Sequence, residues 1–305
     1  MRLLLVIAIT LISAANGFGQ HVALQSHYMF NGVALNPALT GSENAFSLIG
    51  SYRTQWVGFD GTPVTQSITA HAPLRNSSSS VGIQFYRDQI GVDAETGIYG
   101  SYAYKLKTGS KSHLSLGIAG GISFYRGNYS ELFVHDNGDD LLYDTRFAPA
   151  PDFSFGAHYF TKNFFLTFSI PQFLTRKYQD FTVSVTNDFS QYNYLFGGGY
   201  KFELDRDKEI RPSALLKLKP GTDPQLDINL MGKFNEAFEA GVSYRTSDAF
   251  VLLFRINMNQ QWSLMYSFGM PINSMVNYSL GSHEISLRRN FMYKTKNVSP
   301  RLLAW

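Results

Sequence analysis

The chain has 305 residues, with 16% charged and 15% aromatic side chains, no cysteine and a formal net charge of +3. An average globular protein has roughly 25% charged residues, so this composition is unlike that of an ordinary soluble enzyme. A net charge so small and so dispersed argues against nucleic acid as a partner, and the lack of cysteine excludes thiol catalysis and cysteine metal sites.

The start of the chain predicts export. Arg2 precedes the mostly apolar run LLLVIAITLISAA, and Gly17 and Gly19 fit a cleavage site with small residues. We therefore predict that residues 1–19 are a secretory signal peptide. The alternative is an uncleaved membrane anchor, for which the run is too short because a helical span needs about 20 apolar residues. No later segment has the length and apolar character of a transmembrane helix.

Residues 20–44 follow the signal peptide and show no strand alternation. Asn31-Gly32 and Asn36-Pro37 are turn dipeptides within this segment. A segment so irregular cannot span lipid, because its backbone N–H and C=O groups would lack partners there. We predict that it lies in the periplasm or inside a barrel lumen, as a periplasmic or plug segment.

From Ala45 onwards the chain alternates between apolar and polar residues in short runs separated by turn signals. The predicted strands cover residues 45–56, 63–72, 79–87, 95–107, 111–125, 151–161, 163–170, 192–203, 209–219, 224–234, 236–246, 248–258, 260–270 and 277–290. The total of about fourteen is even, as in bacterial outer-membrane barrels, and most runs approach the ~9–11 residues that cross a bilayer at a tilt.

The alternation separates an apolar face from a small or polar face. In LSLGIAGGISFY, residues 114–125, bulky apolar side chains alternate with Ser, Gly and Ala. Asp227 and Arg255 interrupt other apolar runs and need a wet environment, which a barrel lumen provides and a sandwich core does not. The sequence therefore predicts an all-β fold, a transmembrane antiparallel β-barrel over residues 45–291. The alternative is an exported soluble β-sandwich.

Loop lengths give the predicted orientation of the barrel. The two longest loops, 126–150 and 171–191, follow the fifth and seventh predicted strands. The tightest turns, 162–163 and 235–236, follow the sixth and tenth. Bacterial barrels have short periplasmic turns and long external loops, so this parity predicts that both chain termini lie in the periplasm.

The sequence offers little that indicates catalysis. We predict no catalytic residues, no metal site and no cofactor, because no nucleophile, P-loop or dinucleotide motif stands in its required context. His135 and the acidic stretch 131–144 are interpreted as part of a solvated loop rather than a calcium site. Gly197-Gly198-Gly199, inside a predicted strand, is interpreted as a close-packing or bending site.

Four stretches of the sequence, taken together, indicate a protein family more specifically than any one of them does alone. The first is YMFN at 28–31, with LNPA at 35–38 and TGS at 40–42; the second is YRTQWVGF at 52–59. The third is DQIG at 88–91 with ETGIYGSYAY at 95–104, and the fourth is GSHEISL at 281–287. In combination they resemble the PorP/SprF family of type IX secretion system membrane proteins, over about residues 27–291.

The resemblance implies a non-enzymatic barrel in the outer membrane of a Gram-negative cell that supports type IX secretion and gliding motility. In one branch of the family the protein contacts periplasmic machinery, including a peptidoglycan-binding lipoprotein. In another branch it serves the export or surface attachment of a large adhesin. The expected partners are therefore outer-membrane lipid, the secretion machinery and adhesin cargo. The alternatives are a small-solute outer-membrane channel and a barrel enzyme.

Partner contacts are predicted in the irregular N-terminal segment and in the second of the four stretches. The predicted partner-binding residues are Tyr28, Met29, Phe30, Asn31, Asn36, Pro37, Gly41, Arg53 and Trp56. The resemblance also implies an end near Phe291, whereas residues 292–305 continue beyond it. We expect this tail to be a short disordered periplasmic segment or, alternatively, a docking peptide.

Overall fold

The computed structural model describes residues 26–43, 45–58, 60–75, 78–131, 145–146, 149–179, 182–205, 207–291 and 305. The predicted signal peptide, residues 132–144 of the acidic stretch and residues 292–304 of the predicted tail lie outside the described residues. Within the described residues, no helix combines the length and the apolar character needed to cross a membrane.

Short 3₁₀ helices and β-strands make up the described secondary structure. The 3₁₀ helices are Ser26–Met29, Gly32–Ala34, Pro37–Leu39, Tyr129–Glu131, Phe189–Gln191 and Ser274–Asn277. The strands are β1 (Phe46–Thr54), β2 (Val64–Pro73), β3 (Ser79–Ile90), β4 (Asp93–Lys107), β5 (His113–Gly127), β6 (Thr145–Arg146), β7 (Ala150–Phe160), β8 (Phe164–Ile170), β9 (Thr175–Gln179), β10 (Thr182–Thr186), β11 (Tyr194–Tyr200), β12 (Phe202–Glu203), β13 (Glu209–Leu218), β14 (Gln225–Lys233), β15 (Phe238–Arg245), β16 (Ala249–Asn257), β17 (Trp262–Pro271) and β18 (Ser282–Phe291).

Fourteen of these strands form one closed antiparallel barrel, which confirms the predicted fold class. The order around the wall is β11, β8, β7, β5, β4, β3, β2, β1, β18, β17, β16, β15, β14 and β13, and β13 pairs with β11 to close the ring. The first and last strands meet directly, with Phe46 opposite Phe291. Closure leaves the wall without a free edge, so the backbone hydrogen bonds along the ring are made between neighbouring strands.

The burial pattern is that of a barrel surrounded by lipid. Bulky apolar side chains face outward, as Ile118 and Leu252 do with 60% and 45% of their surface exposed. Polar side chains such as Asp227 and His158 face the lumen and are fully buried. A soluble sandwich would have the opposite arrangement, so the alternation predicted from the sequence corresponds to lipid on one side and lumen on the other.

Loop lengths differ between the two ends of the barrel. The end that carries Phe46 and Phe291 has the short connections 74–78, 108–112, 161–163, 234–237 and 258–261. The opposite end has the long connections 55–63, 171–193 and 272–281, together with the short turns 91–92 and 246–248. By the rule for bacterial barrels the short-turn end is periplasmic and the long-loop end is external. Arg289 lies over the rings of Trp262 and Phe291 near the periplasmic end, as in an interfacial aromatic belt.

Two details differ from the sequence-based prediction. The loop 171–191 contains the hairpin β9–β10, whose strands are too short to give a spanning signal. The predicted strand 192–203 is interrupted at Lys201, whose backbone N–H donates a hydrogen bond to the Asn163 carbonyl at 2.6 Å. Beyond that point the two-residue β12 pairs with β13. At Lys201 a local backbone contact thus replaces the regular ladder of the wall, whereas β9 and β10 form a separate two-stranded sheet.

Candidate functional site

The lumen contains residues 26–42 of the chain itself, which we call the plug segment. It consists of three short 3₁₀ helices joined by turns. At the third, the Asn36 side chain accepts a hydrogen bond from the Ala38 backbone N–H at 2.8 Å, and Pro37 occupies the first helical position. These are the usual preferences of a helix start, so the Asn-Pro turn signal in the sequence becomes a helix cap.

Two glycines in the wall make room for the plug segment. Gly117 of β5 and Gly156 of β7 are opposite each other in the ladder. A Cβ atom on Gly117 would lie 2.2 Å from the Ala38 nitrogen, and one on Gly156 would lie 1.7 Å from the Asn36 Oδ1. Ser115 donates a hydrogen bond to the Ala38 carbonyl at 2.7 Å beside this notch. The small residues on the lumen face of β5 are therefore the docking surface of the plug segment.

Asn36 ties the plug segment to β7 and β8. Its Nδ2 donates to the Thr167 hydroxyl at 2.6 Å, to the Phe168 carbonyl at 3.2 Å and to the Ala157 carbonyl at 3.3 Å. Because its Oδ1 caps the third 3₁₀ helix, a single side chain both shapes the plug segment and binds it to the wall.

A carboxylate of β18 holds the start of the plug segment. The Glu284 side chain accepts hydrogen bonds from the backbone N–H groups of Ser26 at 2.8 Å and His27 at 3.2 Å. The His27 Nδ1 lies 2.5 Å from the Ser286 hydroxyl. Burial lowers the pKa of His27, and the neighbouring Glu284 carboxylate opposes that shift. The contact pairs backbone donors with a buried carboxylate, an arrangement that stabilises the charge.

Contacts on further strands show that the plug segment crosses the lumen. Arg288 of β18 donates a hydrogen bond to the Phe30 carbonyl, and it also forms an ion pair at 2.9 Å with Glu43, which directly follows the plug segment. The Asn31 Nδ2 donates to the Thr69 hydroxyl of β2 at 3.1 Å. Together with the contacts on β5, β7 and β8, these bonds attach the plug segment to widely separated parts of the wall.

An aromatic cluster lies in the lumen beside the plug segment. The Tyr28 hydroxyl accepts a hydrogen bond from Asn229 of β14 at 2.8 Å. The Tyr28 ring packs edge-on against Trp305, and Trp305 packs edge-on against Phe165 of β8. Both Tyr28 and Trp305 are buried, so the two ends of the described chain meet inside the barrel.

A cavity of about 160 Å³ lies between the plug segment and the external half of the wall. Tyr86, Asp88, Glu95 and Tyr99 line it. The Tyr86 hydroxyl donates to the Glu95 carboxylate at 2.7 Å, and the two tyrosine rings stack at 6.0 Å. Within the described residues no group of His, Asp and Glu side chains is placed to hold a metal ion. Val33, Leu35 and Pro37 of the plug segment form one side of this cavity.

Comparison with known families decides the identity of this plugged barrel. Residues 17–288 match the family model described as "Type IX secretion system membrane protein PorP/SprF". The chain belongs to the PorP/SprF family. It is thus an outer-membrane β-barrel that belongs with the type IX secretion machinery, and its family is one of secretion proteins rather than enzymes.

Solved structures resemble this PorP/SprF protein only in general shape. Omp33 of Acinetobacter baumannii is 10% identical, covers 81% of this chain and 99% of its own, and has a TM-score of 0.49. The toluene transporter TbuX of Ralstonia pickettii is 8% identical, with coverages of 92% and 97% and a TM-score of 0.49. The CymD monoaromatic hydrocarbon channel is 12% identical, with 91% and 96% covered and a TM-score of 0.48. Such distant likenesses carry no functional argument, and no curated protein matches the chain.

In this PorP/SprF protein the predicted partner-binding residues lie in three places. The plug segment contains the largest group, all of it buried: Tyr28, Met29, Phe30, Asn31, Asn36, Pro37 and Gly41. Arg53 lies in β1 with its side chain buried on the lumen side, opposite Glu284 in the ladder. Trp56 follows β1 at the external end, where its backbone N–H donates to the Ser282 hydroxyl at 3.2 Å. They do not form one exposed surface, and partner binding by them stays a prediction.

Other residues of this lumen were not singled out from the sequence. Trp305 packs deep in the lumen although it was expected in a periplasmic tail, and Arg288 binds the plug segment from β18. An arginine in an alternating strand signals a lumen-facing position, but it does not reveal its partner. Trp305 had no sequence signal beyond its own large aromatic side chain.

Proposed function

We propose that this protein supports the export or surface attachment of adhesin-type cargo by the type IX machinery. In this role it is non-enzymatic and contacts periplasmic components, including a peptidoglycan-binding lipoprotein. The observation that carries the proposal is the plug segment, which attaches to β2, β5, β7, β8 and β18 and so crosses the lumen. A barrel filled by its own chain is suited to docking or gating rather than to free diffusion of solutes.

The predicted partner contacts require a movement of the plug segment. Tyr28, Phe30 and Asn31 are buried against the wall, so a partner reaches them only when the segment leaves its notch. The hydrogen bonds of Asn36 and the hydrogen bond from Arg288 to the Phe30 carbonyl hold the segment in the closed position. We propose that machinery or cargo binds the segment after release.

The proposed role is tested first in a strain with an in-frame deletion of the gene. Surface and supernatant proteins are quantified by mass spectrometry in the deletion strain and in the strain complemented with the wild-type gene. Loss of every type IX cargo would indicate a general role in secretion, and loss of one large adhesin would indicate a dedicated cargo partner. An unchanged set of secreted proteins would contradict the proposal.

A crosslink tests whether the plug segment must move. The chain contains no cysteine, so the pair Ala38→Cys and Ser115→Cys, whose native residues touch at the notch, can be oxidised selectively. We expect oxidation to block secretion of the cargo and a reductant to restore it. The control pair is Ala38→Cys with Ile118→Cys, because Ile118 faces outward and its cysteine cannot reach the plug segment. Normal secretion by the crosslinked protein would show that the segment is static.

A further inference from the structure

Trp305 is the last residue of the sequence, and its indole ring is buried with 7% of the residue exposed. The ring centroid lies 5.1 Å from that of Tyr28 with the planes at 88°, and 5.1 Å from that of Phe165 with the planes at 78°. Edge-to-face pairs of this geometry are favourable because the positive edge of one ring meets the negative face of another. The indole is thus held by two specific ring contacts and not merely covered.

The wall is shaped to receive the indole. A Cβ atom on Gly197 of β11 would lie 2.2 Å from the Trp305 Cη2, so no other residue type fits there without moving the ring. The Arg211 Nη1 of β13 donates a hydrogen bond to the Trp305 carbonyl at 3.3 Å. We call Tyr28, Phe165, Gly197 and Arg211 the Trp305 socket. It explains one of the three consecutive glycines of β11 as a close-packing position.

The Trp305 socket joins the plug segment to the wall. Tyr28 belongs to the plug segment, whereas Phe165, Gly197 and Arg211 belong to β8, β11 and β13. Many polar contacts of the plug segment are made with β2, β5, β7, β8 and β18. Toward β11 and β13 the segment presents Tyr28, and the indole fills the space between this ring and the wall.

We propose that the Trp305 socket is a binding site for an aromatic side chain, filled here by Trp305, and that its occupancy keeps the plug segment closed. Trp305 belongs to no strand, so it can leave the socket without breaking a ladder hydrogen bond. Its departure removes the ring partner of Tyr28 and leaves an empty space between the plug segment and strands β11 and β13. The seated indole is therefore a latch on the plug segment, and this role does not depend on which cargo the protein serves.

Fluorescence tests the occupancy of the socket. The chain has three tryptophans, so a variant with Trp56→Phe and Trp262→Phe reports on Trp305 alone. We expect a blue-shifted emission that is protected from acrylamide. Adding Gly197→Val fills the socket and should shift the emission to longer wavelength with stronger quenching. The matched control is Gly100→Val on the outer face of β4, where no atom lies closer than 4.0 Å to the new Cβ. A red-shifted, quenchable Trp305 in the unaltered socket would overturn the proposal.

Cysteine labelling tests the latch. Met29→Cys places a thiol at a buried position of the plug segment, and its rate of reaction with a maleimide reports how often the segment opens. We expect Trp305→Ala to raise this rate by at least about tenfold, because the open population rises. Trp305→Phe keeps an aromatic ring in the socket, so its labelling rate should stay close to that of the parent protein. Equal rates in the three proteins, each assembled as judged by heat-modifiable gel mobility, would refute the latch.

Discussion

Single residues in the wall decide whether the plug segment can dock. Gly117 is required because a Cβ atom on it would lie 2.2 Å from the Ala38 nitrogen. A Cβ atom on Gly100, in the neighbouring strand β4, would lie no closer than 4.0 Å to any atom. Both glycines lie inside paired strands of the wall, but Gly117 faces the lumen and Gly100 faces the outside of the barrel. What distinguishes them is a contact between distant parts of the chain, and the local sequence does not reveal it.

Gly117→Val is expected to displace the plug segment while the barrel still closes. The added side chain meets backbone atoms that cannot rotate away, and overpacking of this kind costs roughly 1–3 kcal/mol. Limited proteolysis should then cut within residues 26–42, which are protected in the parent protein. Gly100→Val is the control and should leave the protection intact. Equal protection of residues 26–42 from proteolysis in both variants would contradict the docking of the plug segment against Gly117.

Arg288 and Arg289 are neighbours that serve opposite faces of β18. Arg288→Met leaves the Glu43 carboxylate without this partner and removes the hydrogen bond to the Phe30 carbonyl. Breaking a buried ion pair costs about 3–5 kcal/mol, and Glu43 is partly exposed, so we expect a loss toward the lower end of this range and a lower midpoint of urea unfolding. Arg289→Met removes only outer-face contacts with Trp262 and Phe291, worth about 0.5–1 kcal/mol each at exposed sites. Similar losses in the two variants would argue against a structural role of the Arg288 pair.

At the scale of strands, much of the architecture could be predicted because alternation is a local signal. In β16, Phe250, Leu252 and Phe254 point to lipid and Arg255 points to the lumen, as the period of two requires. The hairpin β9–β10 was missed because its short strands carry no spanning pattern. Turn dipeptides showed that the plug segment is irregular, but they could not reveal which strands it contacts.

Leu252→Arg tests the lipid-facing assignment of β16. A cation on the lipid face near the bilayer centre costs about 2–4 kcal/mol, so the assembled fraction of the barrel should fall. Heat-modifiable mobility on gels measures this fraction. Asp207→Arg places the same charge in an exposed turn at the periplasmic end and should assemble normally. Normal assembly of the Leu252 variant would contradict the outward position of this side chain.

At the scale of the whole molecule, the contents of the lumen set the permeability. The plug segment and Trp305 fill the middle of the barrel, so the wild-type protein should show no steady open conductance in planar bilayers. A variant that lacks residues 26–42 should conduct, provided that its barrel is assembled. Steady conductance of the wild-type protein would instead support the alternative of a small-solute channel.

The closing strand of the barrel also holds the beginning of the plug segment. Ser26 and Glu284 are separated by 258 positions, and their hydrogen bond crosses almost the full length of the described chain. The anchors of the plug segment on β18 exist only when this last strand is in place, whereas its contacts on β2, β5 and β8 do not depend on it. A barrel that lacks β18 therefore leaves the start of the plug segment, at Ser26 and His27, without the Glu284 carboxylate that holds it. Complete docking of the segment thus requires a complete barrel, because its first residues are held by the last strand.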